Sequence, residues 1–310
     1  MDVMDIADLA NETVELPEHL TQTTSDVRRR VRALKKLQLE SIKIQAEFYA
    51  KVHELEAEFS KVTAELGAKR AAVVNGQHEP TAEESSAPLL HVLEKEELSE
   101  LEREWDNNNP SNGETGIPDF WLNVFKGSSS FADMIQEHDE PVLKHLVDLT
   151  YSVEVQPQAF TLTFKFAPNN GFFTNTEITK RYETSTAVDE KEPFEYQGPY
   201  WVSIEGTQID WLPGKDVTKD KDGETQESVF NFFKVTGKRD DSLPETALAE
   251  LEIDYDIAQT IRDEIITRAV LYYTGEAIDG ESDYDDFDDE EDSDDDCEDG
   301  CCGTIEEMDE

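Results

Sequence analysis

The residues able to do chemistry do not assemble into a reactive set. The six histidines, His19, His53, His78, His91, His138 and His145, show no metal-ligand spacing, and no pair of cysteines brackets a histidine. All three cysteines, Cys297, Cys301 and Cys302, stand near the C-terminus. An odd number clustered at one end fits a reducing compartment better than a disulfide framework. Asp295, Asp299, Gly300 and Glu306 fall at positions one, five, six and twelve of a calcium-binding loop. The third position is Cys297, however, and no amphipathic helices flank the stretch, so the match reads as a coincidence in an acid-rich segment. Neither the dinucleotide-binding nor the P-loop glycine pattern occurs. The expectation is a protein that is not an enzyme and carries no cofactor and no metal.

The chemistry that remains is charge. Asp and Glu total 73 against 27 Lys and Arg, a formal net of −46. Residues 276–310 hold 20 acids and no Lys or Arg, which leaves 53 acids and 27 bases, a net of −26, on the first 275 residues. The body is therefore acidic as well as the tail. Direct nucleic-acid binding is not expected, because phosphate contact needs a basic face, and a basic protein is the natural partner. Long runs of acids stay solvated and self-repelling, so residues 276–310 read as a disordered tail. The start, Met1-Asp2-Val3-Met4-Asp5, lacks the layout of a signal peptide, and no run of 18 apolar residues occurs. No membrane association is expected, and the chain reads as soluble and intracellular.

These charges must be positioned by folded elements, of which the longest dominates. From Thr24 to Lys69, apolar residues recur every three or four positions: Val27, Val31, Leu34, Leu37, Ile44, Phe48, Val52, Leu55, Phe59, Val62 and Leu66. A helix of that span is roughly 70 Å long, too long to bury its stripe in its own subunit. Its spacing approaches the 3.5 residues of a coiled-coil seam, which predicts a homodimer through Val31, Leu34, Ile44, Phe48, Val52, Leu55, Phe59 and Val62. Leu39, Ile42, Ala46 and Tyr49 widen the apolar face, so something besides one partner helix is expected there. Thr23-Thr24-Ser25-Asp26 offers an N-cap of the capping-box type. Arg28, Arg29, Arg30, Arg32, Lys35 and Lys36 follow, readable as a solvated helix face or as an import signal.

The rest divides by composition into five segments: a mobile acidic arm (1–22), the dimerisation helix (23–74), a linker with a short amphipathic helix (75–113), an α+β domain (114–275) and the acidic tail (276–310). In the arm, Pro17 closes whatever short helix forms. The third segment's Leu89, Leu90, Leu93, Leu98 and Leu101 predict a packing helix, with an export signal as the alternative, and residues 106–113 form a boundary loop. In the domain, Pro118 presets a helix carrying Phe120 and Trp121, and short helices follow near 131–135 and 141–149. Period-two alternation predicts strands at 151–155, 160–166, 176–182, 201–211 and 228–233, and helical periodicity returns over 245–273 with Ile257, Ile261, Ile265, Ile266, Val270 and Leu271 on the buried face. Strands framed by helices on one side give an α+β fold with an antiparallel sheet.

Six strings carry more than pattern: Gly116-Ile-Pro-Asp-Phe-Trp-Leu122, Ile135-Gln-Glu-His-Asp139, Phe172-Phe-Thr-Asn175, Ile209-Asp-Trp211 with Pro213-Gly-Lys215, Phe230-Asn-Phe-Phe233, and Arg268-Ala-Val-Leu-Tyr272 with Thr274-Gly275. In this order and spacing the chain resembles the nucleosome assembly protein family of histone chaperones over roughly residues 25–290. The resemblance implies a long dimerisation helix joined to an α+β domain, an acidic concave surface shared by the dimer, and binding of core histones without nucleotide or metal. Some members end in a prenylation box. Here Cys302 is followed by eight further residues, and that modification is not expected. Some also carry a basic import signal after Ile209-Asp-Trp211, where this chain alternates Lys215, Lys219 and Lys221 with acids.

The sequence therefore leads to a homodimeric histone chaperone, with higher oligomers open, located in nucleus and cytoplasm and shuttling between them. The acids expected to meet histones are Glu137, Asp139, Glu140, Glu252, Asp254, Asp256, Asp263 and Glu264 on the body, and Asp285, Asp286, Asp288, Asp289, Glu290 and Glu291 on the tail. The alternative is an acidic adaptor or inhibitor of the related phosphatase-inhibitor branch, which would bind an enzyme or a transport receptor.

Overall fold

The computed structural model describes residues 17–240 and 242–277. The arm before Pro17, the tail acids from Asp285 to Glu291 and the three cysteines lie outside the described residues.

The apolar repeat of the spine folds as one helix. After α1 (Glu18–Thr21), which follows Pro17, α2 runs from Ser25 to Val74 without a break. Its cap is Thr24, whose hydroxyl accepts the Val27 N–H at 3.4 Å; Thr23 bonds the Leu20 carbonyl instead. Asn75 ends it, its side chain donating to the Ala71 and Val147 carbonyls. The Ile117 N–H then donates to the Val74 carbonyl at 2.8 Å, with Gly76 and Gly116 both at positive φ. A Cβ on Gly116 would stand 2.4 Å from the Val74 oxygen, so only glycine permits this closure. α3 (Lys95–Asn108) buries Leu98, while Leu89 lies before it, exposed, in irregular chain.

The α+β body begins with α4 (Phe120–Lys126), α5 (Ser129–Ala132) and α6 (Glu140–Leu143). Pro118 lies outside α4, whose cap is Asp119 at φ 56°. The sheet is antiparallel, in the order β1 (Leu146–Glu154), β2 (Ala159–Phe166), β3 (Glu177–Ser185), β4 (Tyr200–Gly206), β5 (Gly237–Lys238). Strand β1 starts at Leu146, so the helical stretch expected to reach 149 is cut short after Leu143. Alternation sends Phe160, Leu162, Phe164, Ile178, Tyr182 and Ile204 into one core and leaves Thr161, Thr163, Thr179 and Arg181 on the other face. Helix α7 (Glu245–Thr260), a π-helical turn (Ile261–Ile265) and α8 (Ala269–Thr274) complete the body.

Three further sequence expectations are corrected. Residues 228–233 are not a strand: Val229–Lys234 is a 3-10 helix that buries Phe230, Phe232 and Phe233 together, which strict alternation could not do. The strand expected to reach Trp211 stops at Gly206, where a Cβ would stand 2.6 Å from the Phe233 oxygen; Trp211 makes only an isolated bridge to Phe173. Val270, expected inside, is exposed. The Ile266 N–H reaches back five residues to the Ile261 carbonyl, and this wider turn resets the helical phase, so Ile265, Ile266 and Ala269 take the core positions.

Candidate protein-binding surfaces

Two surfaces stand out, one apolar and one acidic. The apolar surface lies on α2. One side of this helix is bound to its own body: Ile42, Ala57, Ser60 and Val74 are buried, His53 Nε2 lies 2.8 Å from the Glu154 carbonyl, and Arg70 donates to the Ile266 and Leu149 carbonyls while stacking 4.7 Å from the Trp121 ring. Burial lowers the pKa of Arg70, and Asp148 opposes that shift. This contact explains why the apolar face widens around Ile42 and Tyr49. Another side carries Leu34, Leu37, Ile44, Phe48, Leu55, Phe59, Val62 and Leu66, each between 53% and 68% exposed. Of the seam residues expected from the sequence, Val31 and Val52 are half-buried and the other six are on this open stripe. At its far end the stripe runs into a groove of about 380 Å³ lined by Leu66, Gly67, Arg70, Ile266, Val270 and Leu271 among others.

The acidic surface is centred on α7. Glu245, Glu250, Glu252 and Asp256 are exposed, and so are Asp263 and Glu264 on the π-helical turn. Ile253, 60% exposed, stands one helical turn from both Glu250 and Asp256, an apolar contact among the acids that the sequence reading overlooked. Several acids already have a basic or hydroxyl neighbour. Glu252 lies 3.8 Å from Arg239, Asp263 takes two bonds from Arg262 at 2.6 and 2.8 Å, and Glu264 accepts the Tyr272 hydroxyl at 3.4 Å. Across the aromatic nucleus, Met134 and Ile257 line one small cavity, so the segment bearing Glu137 and Glu140 packs on the same core as α7. Glu137 is exposed, and Glu140 pairs with Lys126 at 2.5 Å.

Two of the expected surface acids are interior. Asp139 is fully buried: its carboxylate accepts the Ser228 hydroxyl at 2.6 Å and the Val229 and Gln136 N–H groups at 2.9 and 3.1 Å. It clamps the start of the Val229–Lys234 turn, which joins two of the diagnostic strings into one structural unit. Asp254 is 3% exposed and accepts from the Lys180 ammonium and, at 2.9 Å, from the Tyr182 hydroxyl. Lys180 also donates to the Phe232 carbonyl and stands 3.8 Å from the Phe232 ring centre. Burial pulls Lys180 down to about 8 and raises Asp254, each against the attraction of its partner. Both carboxylates are occupied in holding elements together, so neither is placed to meet a partner protein. Strand phase carried a signal for Lys180, which alternates with the inward Ile178 and Tyr182. Helical phase carried one for Asp254, between Leu251 and Ala258.

Among the described residues, no group of three or more His, Cys, Asp or Glu could hold a metal ion. Among them, too, no helix is long and apolar enough to cross a membrane.

A family model described as Nucleosome assembly protein (NAP) matches residues 29–276. Nucleosome assembly protein 1-like 1-A of Xenopus laevis is 40% identical over 286 residues, covering 84% of this chain and 72% of its own length. Nucleosome assembly protein 1-like 1 of Homo sapiens is 40% identical over 285 residues, with 83% and 71% covered. Among solved structures, nucleosome assembly protein 1 from Plasmodium knowlesi has a TM-score of 0.51 at 25% identity, covering 82% of this chain and 98% of that one. From the first turns of α2 to the end of α8, the chain belongs to the nucleosome assembly protein family.

Proposed function

We propose that this protein is a homodimeric histone chaperone. It binds core histones on the acidic surface of its α+β body and releases them for nucleosome assembly, without catalysis. The observation that carries the reading is the exposed acidic face of α7 and the π-helical turn in a chain of this family. Glu250, Glu252, Asp256, Asp263 and Glu264, together with the exposed Glu137, are the body's proposed contacts, and Ile253 is the apolar contact among them. The tail acids Asp285, Asp286, Asp288, Asp289, Glu290 and Glu291 are proposed to raise the local concentration of histones around that face.

The open stripe on α2 supports the dimer. Burying a large apolar side chain contributes about 1.5 to 3 kcal/mol, and eight such side chains stand in water along one side of a single helix. A second copy covers the same residues on both partners at once, the geometry of a two-fold interface. The stripe's continuation into the groove beside Ile266 extends the seam toward the body.

Sedimentation of the full chain with purified core histones tests the reading. Co-migration of a histone complex with a protein dimer is expected. Failure to bind histones in dilute salt would sink the chaperone reading, and a monomer under the same conditions would sink the dimer. Glu250→Gln, Ile253→Ser and Asp256→Gln together should weaken histone affinity at least tenfold while leaving the dimer mass unchanged.

A further inference from the structure

Arg28, Arg29, Arg30, Arg32, Lys35 and Lys36 are all exposed on the first turns of α2, in a chain that has only 27 Lys and Arg against 73 acids. At 3.6 residues per turn, Arg28, Arg29, Arg32, Lys35 and Lys36 fall within an arc of about 120°, and Lys43 falls in the same arc two turns on. Leu34, Leu37 and Ile44 lie on the opposite side of the helix. The cationic stripe is thus turned away from the proposed dimer seam, on the side where Ile42 and Ala57, further along the helix, meet the body.

Among the described residues the stripe is scarcely neutralised. Asp26, 3.6 Å from Arg29, is the one carboxylate within ion-pair distance of these cations. Lys35 stands 4.5 Å from the Phe194 ring centre, and Arg28 donates to the Thr23 carbonyl. Of the body, Phe194 reaches the stripe at Lys35; Arg28 lies seven residues earlier, about 10 Å along the axis and a little over one Debye length at physiological salt, so the net charge of the molecule as a whole is screened most at Arg28 to Arg32.

We propose that this stripe binds the phosphate backbone of duplex DNA. Arg28 to Lys36 extends about 12 Å and Arg28 to Lys43 about 22 Å along one straight helix, long enough to follow several consecutive phosphates. The guanidinium groups suit bidentate contact with phosphate oxygens. A surface of this kind reads no bases, so binding is independent of sequence. It places DNA along the first turns of α2, on the side away from the proposed seam. It does not depend on which protein the acidic face of α7 binds.

The test uses the full-length protein and a fluorescein-labelled duplex of arbitrary sequence, about 30 base pairs long, read by anisotropy between about 25 and 150 mM salt. Log affinity is expected to fall linearly with log salt, with a slope near −0.9 for each phosphate contacted, about −4 in total. Replacing Arg28, Arg32 and Lys36 by Gln should reduce the slope by about 2 to 3 and the affinity at 50 mM salt by at least tenfold. Dimer mass, circular dichroism and histone binding should not change. Asp26→Asn, which removes the neighbouring carboxylate, should tighten duplex binding a few-fold. No saturable duplex binding by the wild-type protein would overturn the proposal and leave the stripe to an acidic protein partner. The same affinity and slope for the triple variant would overturn it as well.

Discussion

Lys180 and Asp254 show how a charged residue in an acidic binding protein serves the fold instead of the partner. A buried ion pair gains little net stability, because taking both charges out of water offsets their attraction, yet removing one partner leaves the other stranded. Lys180→Met alone should therefore cost about 3 to 5 kcal/mol, and Lys180→Met with Asp254→Leu should recover most of it; denaturant midpoints of the three proteins decide this. Burial holds the folded pKa of Lys180 near 8, below its usual 10.5, so between those values the folded state binds fewer protons than the unfolded one. Stability from this residue should rise as pH goes from 8 toward 10, and the double variant should lack that rise relative to wild type. Asp139 gives a simpler expectation. Asp139→Ala leaves Ser228 and the Val229 and Gln136 N–H groups without their acceptor, so it should lower stability by about 2 to 4 kcal/mol. The protein that remains folded should bind histones unchanged, and weaker binding by that fraction would return Asp139 to the surface.

Among the elements, α2 docks on the body with one side and is proposed to pair with a second copy through another, and a mutation can separate the two. Ile44, Phe48 and Leu55 are 68%, 59% and 53% exposed in the single chain, so replacing all three with Asp should leave the body folded and break the dimer. Val52 is left out of that set because it is half-buried against the chain's own body. Light scattering should report a monomer with undiminished circular dichroism per residue, and an unchanged dimer mass would place the interface elsewhere. The spine's helical nature and its long stripe follow directly from spacing. Which part of the stripe meets the body does not, because both sides are apolar and only docking onto β1, Trp121 and the Gly116 closure distinguishes them. Helix α7 presents the converse case. Its charge is plain in the chain and its phase sets Asp254 between Leu251 and Ala258, but the partners that satisfy Asp254, Lys180 and Tyr182, come from β3.

For the whole molecule, the question is whether the proposed histone binding belongs to a shaped surface or to charge alone. Removing residues 278–310 still leaves 54 acids against 27 bases, so histone affinity should weaken without vanishing. Complete loss with an intact fold would assign binding to the tail alone. Salt separates the two further. Raising ionic strength from about 0.15 to 0.5 M shortens the Debye length to roughly 4 to 5 Å and strips affinity from freely exposed charges. The full-length protein, with Ile253 among its acids, should retain measurable binding there, while a detached peptide of residues 276–310 should retain essentially none. Parallel salt curves for the two in fluorescence titration would reduce the body to a polyanion.

The sequence by itself determined the long helix, the α+β class, the antiparallel strands through β3 and the family, because each rests on local periodicity or on strings that survive without their neighbours. Only the tertiary structure decided which acids face solvent. Asp139, Asp254, Glu252 and Asp256 are alike in composition, and what separates them is whether Ser228, Lys180 and Tyr182 arrive from distant segments to meet their oxygens. It likewise decided that Phe230, Phe232 and Phe233 share one interior through a 3-10 turn, and that the π-helical turn after Thr260 moves Val270 outward. Those choices are made by long-range packing, where the burial of several aromatic rings outweighs the period written in any single stretch.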